Sequence, residues 1–239
     1  MSVVLLGRRA GQPPAAAHEI DLVLLWSATA LLLIGLVMVY SASIATAGGS
    51  AFTGRSPAFF LIRHSIFLAV GLAGALIAFQ IPLRICQQLA PWLFLGGLIL
   101  LVVVLIPGIG KTVNGAQRWI GLGPINLQPS ELVKVCVALY AADYTARKLA
   151  QMGSFRRGFV PLAGVMVIVA ALLLRQPDFG ALVVITAIAM GILFLGGMNG
   201  RLFAFLIVAM AVAFALLILT SPYRWERIIS YMDPWQDAF

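Results

Sequence analysis

Residues 109–134 read I-G-K-T-V-N-G-A-Q-R-W-I-G-L-G-P-I-N-L-Q-P-S-E-L-V-K and hold most of the groups in this chain with chemistry to offer. Lys111, Arg118, Trp119, Gln128, Ser130, Glu131 and Lys134 all fall within the stretch, and long apolar segments flank it on both sides. Charged side chains are costly near lipid, so this concentration points to a site that receives a charged or polar headgroup at a membrane surface. Arg118 offers a planar guanidinium fork suited to phosphate. Trp119 beside it packs equally well on a lipid chain, on a sugar face or at the membrane interface as an anchor. Glu131 and Lys134 stand at i, i+3 and pair if the segment is helical. Such a pair either locks two helices together or lines a cavity and holds Lys134 ready for an anion. Asp178, in Q-P-D-F-G, is a further polar candidate, or simply a cap for the helix it precedes. Arg224 and Arg227, near the C-terminal end, snorkel to headgroups or add to the same anion site.

The elements that position these groups follow from composition. The chain has 239 residues, 62% of them hydrophobic and 10% charged. Soluble domains carry about 25% charged residues, and the apolar residues here fall in blocks of about 20, enough to cross a ~30 Å hydrocarbon layer as helices. The fold class expected is all-α, a polytopic membrane bundle. The formal net charge of +8 is scattered over loops and helix ends, so the partners it implies are anionic lipid headgroups and not nucleic acid. Cys86 and Cys136 match no metal or redox spacing. No P-loop, H-E-x-x-H or nucleophile-elbow motif stands in a plausible context, and no cofactor or metal site is read from the residues.

Seven spans are expected, over 21–44, 59–80, 90–107, from about 129 to 148, 159–174, 180–198 and 202–220. Residues 1–20 read as a short tail, 21–220 as the transmembrane bundle, and 221–239 as the start of a large loop. The first apolar run is too long for a signal-peptide core and is read as a retained helix. Residues 81–89, with Pro82 and Arg84, read as a short amphipathic connection before the third span. Pro129 suits the first position of the fourth helix, and Glu131 then falls in the first turn, where the helix dipole favours an anion. On that helix Glu131, Lys134, Ala138, Ala142 and Thr145 share one polar or small stripe, expected to face inward, opposite Val133, Val137 and Tyr140. Lys/Arg counting is nearly tied between the two sides. The basic cluster after the fourth helix favours a cytoplasmic N-terminus, which puts the 109–134 stretch outside. A polyanionic ligand on that face would explain the cations retained there.

Three motifs, G-K-T-V-N-G-A-Q-R-W-I at 110–120, L-Q-P-S-E-L-V-K at 127–134 and Q-P-D-F-G at 176–180, together resemble the SEDS family of bacterial envelope proteins, the group that contains FtsW, RodA and SpoVE. The opening V-Y-S-A-S and the closing P-Y-R-W-E-R-I-I-S-Y-M-D-P-W-Q-D are more similar to its division-associated branch. The resemblance implies ten transmembrane helices, of which seven are present here, with the N-terminus in the cytoplasm of a bacterial inner membrane and the protein at the division septum. It implies a peptidoglycan glycosyltransferase that polymerises lipid II, a disaccharide-peptide on undecaprenyl pyrophosphate. The partners it implies are a class B penicillin-binding protein and other divisome proteins, with a divalent cation (Mg or Mn) as a family-level cofactor. A general base would take a proton from the acceptor sugar hydroxyl, which attacks the anomeric carbon of the donor, and the lipid pyrophosphate departs. Arg118 and Lys134, with Arg224 as a weaker candidate, are then expected to stabilise the departing charge. Lys111, Trp119, Gln128, Ser130, Glu131 and Asp178 complete the expected substrate-binding set. The family's proposed catalytic aspartate lies in a later H-T-D-F-like motif that does not occur here, so no catalytic residue is expected in this chain, which reads as an N-terminal fragment inactive alone. A lipid II flippase and a non-catalytic scaffold for the transpeptidase remain the alternatives.

Overall fold

The structure is a computed structural model that describes residues 21–49, 54, 56–113, 115–123, 125–222, 225 and 229. Arg224, Arg227 and the N-terminal tail lie outside the described residues. The chain divides into two compact units, Met1–Ile81 and Pro82–Phe239.

The first unit holds α1 (Leu22–Gly49) and α2 (Phe59–Gln80), which pack on each other. Asp21 starts α1, its Oδ1 accepting from the backbone N–H of Val23 at 2.9 Å and of Leu24 at 3.1 Å. Two donors with no intrahelical acceptor are satisfied this way. The α1 hydroxyls of Ser27, Thr29 and Ser43 donate to the carbonyls one turn back, at 2.7, 2.8 and 2.6 Å. That self-satisfaction lets them sit on a lipid-facing surface. Trp26 is 69% exposed and Leu31 70%, as lipid-facing residues are.

The second unit holds α3 (Leu83–Val103), a three-stranded sheet, α4 (Pro129–Arg147), α5 (Val160–Arg175), α6 (Phe179–Leu195) and α7 (Gly200–Leu219). Among the described residues, α1, α2, α3, the Phe155–Arg175 stretch ending in α5, and α7 are long and apolar enough to cross a membrane, and α6 is a shorter apolar helix. The expected helical membrane bundle is therefore present, with seven helices among the described residues. The connection expected at 81–89 is instead the first part of α3, which runs through Pro91 without a break. A single proline removes one backbone donor, and neighbouring helices make that tolerable in a membrane bundle.

The core lies between α3, α4, α5 and α6. Phe94, Leu101, Val133, Val137, Val169, Leu173, Leu182 and Ile185 form its buried centre. Gly97 lets α3 and α4 approach closely, since a Cβ there would lie 3.1 Å from Val133 Cγ2. The Phe94 and Tyr140 rings stack at 4.6 Å across the same seam. The face of α4 that turns inward is thus the one carrying Val133, Val137, Ala141 and Tyr144. The stripe expected to face inward does not: Ala142 is exposed and Glu131 is 57% exposed, and only Thr145 of that set is buried. Shape decides this, because the apolar valines fit the α3 groove and a charged pair gains nothing there.

The polar stretch after α3 folds as β1 (Gly110–Val113), β2 (Ala116–Leu122) and β3 (Ile125–Leu127), antiparallel in the order β1-β2-β3. Gly115 at φ 74° and Gly123 at φ 77° make the two turns, a conformation costly for any residue with a Cβ. Gln117 anchors the sheet to the end of α3, its amide donating to the carbonyls of Ile106 at 3.3 Å and Gly110 at 3.4 Å. Gly110 packs so tightly against Val104 that a Cβ would lie 2.0 Å from its carbonyl oxygen.

Candidate functional site

The helices of the second unit alternate in direction along a membrane bundle. The sheet joins α3 to α4, and the turn before α6 follows α5, so both lie at the same end. At that end four of the sequence candidates come together. Pro129 opens α4, which places Gln128 just before the helix and Ser130 in its first turn. Asp178 is the N-cap of α6, its Oδ1 accepting from the Ala181 N–H at 3.3 Å. Its Oδ2 accepts from the Ser130 hydroxyl at 2.7 Å and from the Gln128 amide at 3.1 Å. The same Gln128 amide lies 3.0 Å from Ser130 Oγ, which closes a three-membered network. Ser130 is 1% and Asp178 4% exposed. A carboxylate this deep is tolerable because its oxygens are hydrogen-bonded and a cation stands beside it.

That cation is Arg118, delivered by β2. Its NH1 lies 3.9 Å from Asp178 Oδ1, within ion-pair range and too far for a hydrogen bond. Opposite charges about 4 Å apart attract by roughly 4 kcal/mol at an effective dielectric near 20, before the cost of desolvation. The attraction therefore holds the guanidinium near the carboxylate without using up its donors. The Arg118 side chain is 18% exposed and its Nε is buried with no hydrogen-bond partner among the described residues.

The other candidates surround this cluster less tightly. Lys111 reaches across the sheet, its Nζ donating to Asn126 Oδ1 at 3.3 Å. It lies over Gly121, where a Cβ would stand 2.1 Å from Lys111 Cε. Trp119 is the register partner of Lys111 on the neighbouring strand and is half-buried. Glu131 and Lys134 do form their ion pair, at 2.6 Å, on the partly exposed side of α4, with Lys134 one turn beyond Ser130. Gln176 opens the Q-P-D-F-G motif, where its residue type alone gives no sign of a distinct role. It is fully buried, donates to the Leu101 carbonyl at 2.8 Å and so ties the end of α5 to α3, while its Oε1 has no partner among the described residues. Among the described residues no group of three or more His, Cys, Asp or Glu side chains is placed to hold a metal ion.

Several known proteins are similar to this chain. A family model described as a cell cycle protein, covering FtsW, RodA and SpoVE, matches residues 22–239. A probable peptidoglycan glycosyltransferase FtsW of Aromatoleum aromaticum is 64% identical over 228 residues, which cover 95% of this chain and 56% of that relative. One of the same description from Burkholderia thailandensis is 50% identical over 221 residues, covering 92% and 48%. The chain thus spans about half the length of the curated relatives it matches. Among solved structures, the rod shape determining protein RodA of Thermus thermophilus superposes with a TM-score of 0.58 at 30% identity, covering 78% of this chain and 60% of that one. A chain of a peptidoglycan synthase complex, from work on how such a complex coordinates polymerization and crosslinking, gives a TM-score of 0.58 at 30% identity, covering 84% and 59%. With the family model running over all seven helices and the sheet between them, the chain belongs to the FtsW/RodA/SpoVE family of multi-pass membrane proteins.

Proposed function

We propose that this chain supplies the portion of a septal peptidoglycan glycosyltransferase that carries its lipid-pyrophosphate-facing sheet. The observation that carries this reading is the 64% identity over 228 residues, 95% of this chain, to a probable peptidoglycan glycosyltransferase. The substrate is lipid II, and the sheet end faces the outer side of the bacterial inner membrane with the N-terminus in the cytoplasm. A class B penicillin-binding protein and other divisome proteins are the partners. The acceptor hydroxyl of one sugar attacks the anomeric carbon of the next, and the lipid pyrophosphate leaves with the bonding electrons. Arg118 meets that departing charge with donors its ion pair has left unspent, and Lys111 and Lys134 add positive potential at the same end, with Arg224 as a further cationic candidate from the sequence. Trp119 supplies an apolar face to the sugar or the lipid chain. None of the groups assigned here is the base that accepts the proton. Family resemblance adds a divalent cation, Mg or Mn. The described acidic residues do not form a ligand set for it: Asp178 is committed to Ser130, Gln128 and the α6 N-terminus, and Glu131 is paired with Lys134.

The test is incubation of lipid II with the full-length protein and its transpeptidase partner, with products resolved on a gel. Glycan strands and released undecaprenyl pyrophosphate support the polymerase. Lipid II moved across a bilayer unchanged would establish a flippase instead. Neither outcome, from folded and partnered protein, would leave the scaffold.

A further inference from the structure

We infer that Asp178 is a positioning residue: it is withdrawn from the substrate and acts by holding Arg118 at the angle from which its free donors meet a phosphate. The inference rests on the reading of Arg118 as the anion-binding group and goes beyond it by giving Asp178 an indirect role.

The bookkeeping of lone pairs leads there. A carboxylate has about four acceptor sites. On Asp178, Oδ2 receives the Ser130 hydroxyl and the Gln128 amide, and Oδ1 receives the Ala181 N–H. One site is left, on the oxygen that Arg118 faces at 3.9 Å. The residue is 4% exposed, so no face remains on which a substrate group can reach it. Its ligands come from three elements: the β3–α4 junction through Gln128, the first turn of α4 through Ser130, and the first turn of α6 through Ala181. Asp178 is therefore fixed to the rigid part of the bundle. Arg118 sits on β2, the central strand of the sheet, and its long side chain has several rotamers to lose on binding an anion. A fixed negative charge beside the guanidinium selects among those rotamers. Because the separation exceeds a hydrogen bond, the selection leaves all five N–H donors of Arg118 unspent on the carboxylate. A closed bidentate pair would have consumed two of them.

A residue that acts only through Arg118 loses its effect once Arg118 is gone. The test is a double-mutant cycle on lipid II polymerisation by the full-length, partnered protein, using Arg118→Ala, Asp178→Asn and both together, with thermal unfolding recorded for each. The expected result is a fall in kcat/KM of about tenfold or more for Arg118→Ala, a similar or smaller fall for Asp178→Asn, and a double variant no worse than Arg118→Ala alone. Multiplicative losses in the double variant would overturn the positioning role and give Asp178 a separate one. An unchanged rate in Arg118→Ala would overturn the anion-binding reading beneath it, and the two failures are thereby distinct. Should Asp178→Asn fail to fold, Ser130→Ala takes its place in the cycle. It loosens one tether of the carboxylate, and its loss of rate must likewise vanish in the Arg118→Ala background for the inference to stand.

Discussion

The two ends of the second unit each hold a buried aspartate beside an arginine, and the two pairs are built differently. At the end opposite the sheet, Asp143 and Arg147 sit one turn apart on α4 and meet at 2.7 Å, with Arg147 56% exposed. Tyr144 beside them donates its hydroxyl to the Gly158 carbonyl at 2.9 Å, and the Lys148 ammonium lies 5.3 Å from the Tyr144 ring. Every partner there comes from α4 or from the segment that follows it. At the sheet end Arg118 and Asp178 come from elements far apart in sequence, stop at 3.9 Å, beyond hydrogen-bond reach, and leave a buried Nε without a partner among the described residues. A local i, i+4 pair forms whenever its helix does and contributes little more than that helix needs. A pair assembled by tertiary structure and left open costs stability, because buried polar groups go unpaired. Open donors beside a fixed carboxylate are what the proposed phosphate-binding role of Arg118 requires.

The sharpest way to break this contrast is to remove one arginine at each end. Arg118→Ala is expected to lower lipid II turnover by about tenfold or more, since a charge-assisted contact to phosphate is lost. Gly196→Ala probes the opposite end: a Cβ there would stand 1.9 Å from Thr145 Cγ2, so α4 and α6 must separate. It is expected to lower stability in detergent by about 1–3 kcal/mol, visible as a reduced unfolding temperature, with KM for lipid II unchanged in the folded fraction. Arg147→Ala takes the cation from the buried Asp143 carboxylate; it is expected to cost about 1–3 kcal/mol and to leave polymerisation by the folded fraction intact. The smallest effect belongs to Gly121→Ala. Its Cβ displaces the flexible Lys111 side chain and breaks the Lys111–Asn126 contact, so stability changes by about 0.5 kcal/mol or less. Lipid II affinity then reports how far Lys111 contributes. A loss as large as that of Arg118→Ala would move the centre of the anion site from β2 to β1.

Local features of this end were legible in the sequence. Pro129 marks the start of α4, and Asp178 caps α6 as a residue of its type does before an apolar run. The Glu131–Lys134 pair follows from helical spacing alone. The sheet was not legible as strands, because β1 and β3 are only 4 and 3 residues long and carry no clean alternation. The hairpin signal was nonetheless present in the Asn-Gly dipeptide at 114–115. Pro91 disguised the continuity of α3, since a proline there reads as a break unless the bundle around it is known. The inward face of α4 is not the polar one, because Gly97 opens a groove on α3 that the valine side fills, and polarity along the helix carries no sign of that groove. The meeting of Arg118 with Asp178 has no local signature at all. It needs α3 and α4 on one hand and α5 and α6 on the other to be laid side by side, and periodicity within one helix carries no record of that.

The most direct measurement of the central claim is kcat/KM for lipid II of the full-length, partnered protein with Arg118→Ala and with Arg147→Ala, assayed side by side on the folded fraction fixed by their unfolding curves. The predicted result is a kcat/KM lowered about tenfold or more by the first and unmoved by the second. Equal kcat/KM values in the two variants would contradict the account and reduce both arginines to structural groups.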